Sequence, residues 1–380
     1  GKGSFVLSKE GQYKVTVTVK DNSGNTFTQT ADIKLDKTVP TILVTGVPTE
    51  WKPEAVLQLQ ATAGVSGIKS ITVNGTDITS TYANGYKITQ SGTYAFTVTG
   101  NSGLTAAQTV TVNTVDSTKP NNAVIAGKEN YTSAKWYNTD QTVTATFTPV
   151  AGSPERLQYS LDAGTTWIDA ASYTVTKEVV NTVSFRVIDA AGNSSTPQNI
   201  VVQIDKTKPE TAEITAKGNS FKSFINTITF GLFYDNTVDV TINSGDSLSG
   251  IKSVEYQKVS SEAAYNETGS WTSGNSFSVA PDEKFIVYAR LTDNAGNVTI
   301  INTNGIVTDN SNPTLSLSDV SGWKKADVTV QVTAGDNLAG IKEVTYATDE
   351  TVPQTGSVTL TDGKGSFVLS KEGQYKVTVT

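Results

Sequence analysis

The chain has 380 residues, more than one hydrophobic core usually supports, so several domains of roughly 100 residues each are expected. Its 29 Lys and Arg against 36 Asp and Glu leave a formal charge of −7, and no basic run is present to neutralise phosphates, so nucleic acid is not expected as a partner. Cysteine, methionine and histidine are all absent, which excludes Ser–His–Asp and Cys–His catalysis and the usual imidazole or thiolate zinc sites, and leaves little to oxidise.

Only 37% of the residues are hydrophobic, and Thr, Val, Ser, Asn and Gly dominate, a balance that favours pleated strands and turns over helices. No apolar run approaches the roughly 20 residues that a membrane span needs. The chain opens at Gly1 without a signal peptide, so membrane contact is not expected and any targeting or anchoring signal is expected outside this segment.

Residues Gly1–Thr18, GKGSFVLSKEGQYKVTVT, recur unchanged as Gly363–Thr380, an offset of 362 residues. Either a longer parent chain repeats a unit of that length, or the segment is an excerpt whose ends overlap; the first is preferred. The alternating run Tyr13-Lys-Val-Thr-Val-Thr-Val19 predicts a half-buried strand, and Asp21-Asn-Ser-Gly-Asn25 a hairpin turn, because Gly and Asn tolerate the positive φ that tight hairpins require. Equivalent turn phrases follow at Gly100-Asn-Ser-Gly103, Asp189-Ala-Ala-Gly-Asn193 and Asp293-Asn-Ala-Gly-Asn297.

A linker phrase comes 15 or 16 residues after each turn: Asp36-Lys-Thr-Val-Pro40, Asp116-Ser-Thr-Lys-Pro120, Asp205-Lys-Thr-Lys-Pro209 and Asp309-Asn-Ser-Asn-Pro313. Proline lacks an N–H and pre-sets an extended backbone, which suits a short stiff linker. The expected domains are therefore 1–36 (the last strands of one), 37–116, 117–205, 206–309, and 310–380 (one lacking its last strand).

Within the domains, Trp51, Trp136 and Trp323, with Phe233 and Tyr234 in the equivalent place, precede an alternating run and are expected to fill the cores. A loop opening the third strand recurs as Gly64-Val-Ser-Gly-Ile68, Gly245-Asp-Ser-Leu-Ser-Gly-Ile251 and Gly335-Asp-Asn-Leu-Ala-Gly-Ile341. Tyr13, Tyr94 and Tyr375 sit where a sandwich often places a tyrosine that bonds back to a corner. Seven or so short strands in 80 to 104 residues predict an all-β chain of tandem immunoglobulin-like β-sandwiches in an elongated rod.

The phrases Asp-x-Ala-Gly-Asn, Asp-x-Thr-x-Pro and Leu-Ser-Gly-Ile-Lys-Ser-Val, recurring in fixed order, resemble those of bacterial immunoglobulin-like (BIg) domains of large cell-surface adhesins. That resemblance implies an extracellular location on a bacterial cell, a rod that projects a binding region, and calcium near domain junctions. Immunoglobulin strand order would bring linker, B–C loop and F–G turn to one pole. Asp205, Asp246 and Asp293 would then converge and repel unless a cation such as calcium, which takes six to eight oxygen ligands, sits between them. Asp116, Asp189 and Glu155 form the corresponding set one junction earlier, and Asp309 with Asp336 one junction later. No calcium is expected near Asp36, where Gly100 replaces the turn acid. The alternative is that these aspartates bond their own backbone in turns.

Trp167 and Trp271 are expected to pack on sandwich edges rather than to hold a sugar. No acid pair stands apart from the repeated turn phrases, so catalysis is not expected. The function expected is a stalk or spacer whose partners are the neighbouring repeats, each domain adding about 35 to 45 Å and one unit reaching ~150 Å. The alternatives are domains that themselves bind a host glycan or protein, or that assemble with other copies into a fibre.

Overall fold

In the computed structural model, which describes all 380 residues, alternation in the sequence becomes alternation of burial. The strand Val238–Gly245 buries Val238, Val240 and Ile242 and turns Asp239, Thr241 and Asn243 outward. Val328–Gly335 buries Val330, Val332 and Ala334 in the same way. Period-two patterning of this kind fits a sheet with one face on a core and one in water. The regular structure is strand throughout, apart from three single-turn 3₁₀ segments, and no helix is long and apolar enough to cross a membrane.

The chain divides into two compact units: Gly1–Ser133 with Gln141–Val175 and Val180–Val202, and Ala134–Asp140 with Thr176–Val179 and Gln203–Thr380. The first opens with an antiparallel hairpin of Gly11–Lys20 and Thr26–Leu35, in register from Gly11 opposite Leu35 to Lys20 opposite Thr26. A two-sheet sandwich follows. Thr41–Thr45, Ala55–Thr62 and Tyr86–Ile88 form one sheet, and Ile68–Val73, Gln90–Gly100 and Thr105–Asp116 the core of the other. Leu57, Ile71, Val73, Phe96, Val98 and Val112 fill the space between them. The same unit pairs Gln141–Thr146 with Ser172–Val175, and Glu155–Ser160 with Val180–Asp189.

The second unit holds a sandwich in which Thr211–Ala216 and Ser276–Val279 flank Val238–Gly245, while Ile251–Val259 pairs with Glu283–Asp293 in the facing sheet. Its core is built on Ile214, Val240, Ile242, Phe285, Val287, Leu291 and Ile306. A further cluster of Val330, Val332, Val344, Phe367 and Leu369 lies toward the C-terminus.

Parallel pairing appears at one recurrent place. Lys52 bridges Val115 in the first unit. In the second, Trp136 and Tyr137 pair with Gln203 and Ile204, and Phe230–Tyr234 with Gly305–Thr308. An early segment thus leaves one sheet and runs beside the last strand of the other, tying the two sheets of each sandwich together. This corrects the expectation for the aromatics. Trp136 and Tyr234 are only half-buried and Phe233 is exposed, because they lie on this crossing strand at the sandwich edge rather than at the core centre; Trp51, beside the Lys52 bridge, is half-buried, and Trp323, outside any strand, is 85% exposed.

The tyrosines fall where expected. The hydroxyls of Tyr13, Tyr94 and Tyr375 donate to the carbonyls four residues back, those of Lys9, Gln90 and Lys371, at 2.6, 2.7 and 2.9 Å. Trp167 and Trp271 lie at sheet edges, each stacked under an arginine from the next strand but one, Arg186 and Arg290.

Candidate junction sites

Each linker aspartate is the centre of a repeated hydrogen-bond arrangement. One carboxylate oxygen accepts the amide two residues on: Thr38 for Asp36, Thr118 for Asp116, Thr207 for Asp205 and Ser311 for Asp309. Its other oxygen accepts an amide from the B–C loop that follows, at Ser66, Ser153, Ser249 and Ala339, over 2.8 to 3.1 Å. A carboxylate suits this position because it offers two oxygens in one plane, one for each segment, and bonds to an ionised acceptor are stronger than neutral ones.

The next residue of the linker is tied the other way. The amides of Lys37, Lys206 and Asn310 donate to Glu10, Glu178 and Asp282, each of which sits just ahead of a long strand that precedes the linker; the Ser117 amide donates to the Thr89 carbonyl instead. Consecutive linker residues are therefore clasped by the segments on either side. Sequence reasoning passed over this second set of acids, although Glu10, Glu178 and Asp282 precede their amide partners by a near-constant 27 or 28 residues.

The electrostatics agree with the geometry. The Lys206 amide, with the Thr207 hydroxyl, holds the Glu178 carboxyl below its ordinary range. Burial pushes Asp116 up, but the amides of Ser153 and Thr118 outweigh it and leave that carboxyl lowered. The Ser311 hydroxyl and the Ala339 amide lower Asp309, whose carboxyl also adjoins that of Asp336.

The candidate acids separate into distinct cases. Asp205, Asp246 and Asp293 each place one carboxylate oxygen within 4.8 Å of the other two. Asp205 and Asp293 are fully buried and Asp246 is half-buried. Asp246 accepts the Leu248 and Gly250 amides, and Asp293 those of Gly296 and Asn297 together with the Asn297 side-chain amide. The ion pairs of the chain engage other carboxylates. Oxygens around one calcium ion, each ~2.3–2.6 Å from it, stand up to ~5 Å apart, and every carboxylate here keeps lone pairs beyond those its amides use, so the set fits such an ion.

Asp116, Glu155 and Asp189 form no such group of three. Glu155 lies opposite Asp189 on paired strands and accepts the Val150 amide, while Asp189 is held by Asn193. Asp309 and Asp336 are neighbours bound to separate loop amides. The turn asparagines act as clamps, since Asn193 donates to the Asp116 carbonyl and Asn297 to the carbonyls of Asp205 and Thr207.

No curated protein matches the sequence. Among solved structures, similar ones include the three N-terminal domains of the bacteriophage RB49 highly immunogenic outer capsid protein, with 12% identity, 72% of this chain and 100% of that one covered, and a TM-score of 0.28. Another is protocadherin gammaB7 EC3-6, with 14% identity, 78% and 84% covered, and a TM-score of 0.26. The fibronectin(III)-like modules of Clostridium thermocellum CbhA give 10% identity, 49% and 94% covered, and a TM-score of 0.24. Overlaps this loose add nothing to the strand topology itself. The sequence match is specific: residues 234–310 fit the family model described as bacterial Ig-like domain. The chain is a tandem of immunoglobulin-like β-sandwiches, and its segment 234–310 is similar to the bacterial Ig-like domain family.

Proposed function

We propose that this chain is a spacer segment of a repetitive bacterial surface protein, with sandwich domains at 37–116, 117–205 and 206–309 between partial ones at 1–36 and 310–380. The observation that carries the reading is the two-sided clasp: four linkers repeat it, and in each the constraint falls on consecutive residues. A linker held on both sides within two residues loses the freedom that lets tandem domains hinge. Resistance to bending is what a spacer needs and what an enzyme or a free-standing receptor does not. In this reading a calcium ion held by Asp205, Asp246 and Asp293 adds a third tie at one junction by joining linker, B–C loop and F–G turn.

X-ray scattering from the full chain tests this. A maximum dimension near ~150 Å is expected. The triple variant Glu10→Ala, Glu178→Ala, Asp282→Ala should scatter as a shorter, more variable particle. An unchanged profile would remove the clasp from the account. Tight, selective capture of the chain by one glycan or host protein on an array would replace the spacer reading with a receptor.

A further inference from the structure

Arginine occurs only at 156, 186 and 290, and two sandwiches treat it in opposite ways. In the 206–309 sandwich, Arg290 lies opposite Glu255 on paired strands and stacks 4.5 Å over Trp271. Its Nε and Nη2 both donate to one Glu255 carboxylate oxygen, over 3.0 and 2.8 Å, so its charge is neutralised. The 117–205 sandwich repeats this arrangement with one change. Arg186 lies opposite Gln158 and stacks 4.2 Å over Trp167, but its partner is an amide. Arg186 Nε donates to Gln158 Oε1 over 2.9 Å, its Nη groups have no acceptor in the chain, and no ion pair includes it.

A second positive charge stands beside the first. Arg156, two residues before Gln158, lies diagonally across the same strand pair from Arg186, at a position that Ser253 fills in the 206–309 sandwich. Arg156 Nε donates to one oxygen of Asp169 over 2.9 Å, and Gln158 Nε2 donates to the other over 2.7 Å. Burial lowers the Arg186 guanidinium below its ordinary value, and the nearby Arg156 charge lowers it further. In a chain whose net charge is −7, this face sets two guanidiniums against one carboxylate. The groups are also held in place: Gln158 is buried, and the Trp167 indole N–H donates to the Gly164 carbonyl over 2.9 Å.

We infer that Arg156, Gln158, Arg186 and Trp167 form a binding site for an acidic sugar of the uronate class, whose carboxylate accepts from the free Nη groups of both arginines. Guanidinium forks match planar carboxylates. A single carboxylate also matches the surplus charge, whereas a phosphate dianion beside Asp169 exceeds it. The site lies on the face of Glu155–Ser160 and Val180–Asp189, both internal to their sheet, so an extended peptide finds no open edge to join. A sugar ring needs no edge, and its C–H groups can pack on the part of the indole that Arg186 leaves uncovered. Contacts of this kind on an open face give a dissociation constant on the order of 1 mM. The site therefore adds a weak hold to a spacer without the tight capture that marks a receptor.

NMR of the arginine Nε–H groups in the full chain tests this, because it gives one signal per arginine and Arg290 serves as the internal control. Tetragalacturonate should shift the Arg156 and Arg186 signals saturably, together with the Trp167 indole N–H, and leave Arg290 in place. Neutral galactotetraose should shift none of them. The double variant Gln158→Glu, Asp169→Ser installs the residues of the matching pair Glu255 and Ser273, so it has a folded precedent in the same chain and an unchanged net charge. It should weaken tetragalacturonate binding about 10-fold or more, as should Arg156→Ser. Equal shifts at Arg290, unchanged affinity in the double variant, or tetraglutamate or inorganic phosphate acting as strongly as tetragalacturonate would each overturn the inference.

Discussion

Replacing Asp246 with asparagine separates the two roles a clustered carboxylate can have. The side-chain carbonyl of the variant still accepts the amides of Leu248 and Gly250, so the loop keeps its hydrogen bonds while one negative charge is removed. That charge lies within 4.8 Å of two others. At this separation each like-charge pair costs roughly 1 kcal/mol in a water-like medium and about 3 at an effective dielectric of 20. For a half-buried group facing two partners, relief of about 2 kcal/mol in the absence of a cation is a conservative figure. In a domain of about 100 residues, 2 kcal/mol moves the melting temperature by roughly 8 to 16 °C. Differential scanning calorimetry of the full chain in chelator should therefore show one transition rising in Asp246→Asn. With millimolar calcium the order should reverse, since wild type gains ligand-binding free energy and the variant has lost a ligand. A variant that melts below wild type in chelator would refute the repulsion argument. Identical wild-type scans with and without calcium would refute the cation.

Two further outcomes follow from the linker geometry and the acid loops. A Cβ at Gly152 would lie 2.0 Å from an Asp116 carboxylate oxygen, at a backbone φ of +151°, so Gly152→Ala should displace the Asp116 carboxylate from the Ser153 and Thr118 amides and cost about 2 kcal/mol or more, seen as faster amide exchange at both; unchanged exchange would mean that these bonds are dispensable. Hydrogen bonds from the Thr166 hydroxyl and amide, with that of the Ser160 hydroxyl, lower the Asp162 carboxyl to about 2, so its contribution to stability is complete above the unfolded value near ~3.9 and is lost only as pH falls through about 2. Carbon-detected NMR titration of the Asp162 carboxyl should find that low midpoint, and a midpoint near ~3.9 would contradict the loop geometry.

Much of the architecture was legible because it rests on local chemistry. Turn phrases such as Asp189-Ala-Ala-Gly-Asn193 close hairpins through bonds from Asn193 to Asp189, and those bonds depend only on residues four apart. The corner tyrosines were legible for the same reason, since each bonds a carbonyl four residues back. The convergence of Asp205, Asp246 and Asp293 could be anticipated from strand order alone, because alternating strand directions assign each loop to a pole.

The tertiary structure decided what depends on pairing between distant strands. Trp136 and Phe233 belong to a strand that leaves one sheet to run parallel with the last strand of the other, and periodicity carries no sign of that change of partner. Five consecutive residues of one central strand, Phe285, Ile286, Val287, Tyr288 and Ala289, are buried against the expectation of alternation. Part of the reason is that Tyr265 stacks 3.9 Å over Tyr288, with Phe224 and Trp271 around the pair, covering a face that other strands leave to water. Whether a given apolar residue is covered at all was likewise a tertiary matter. Phe5 and Phe367 share the same flanking sequence, and only the presence of an opposing sheet distinguishes the exposed one from the buried one.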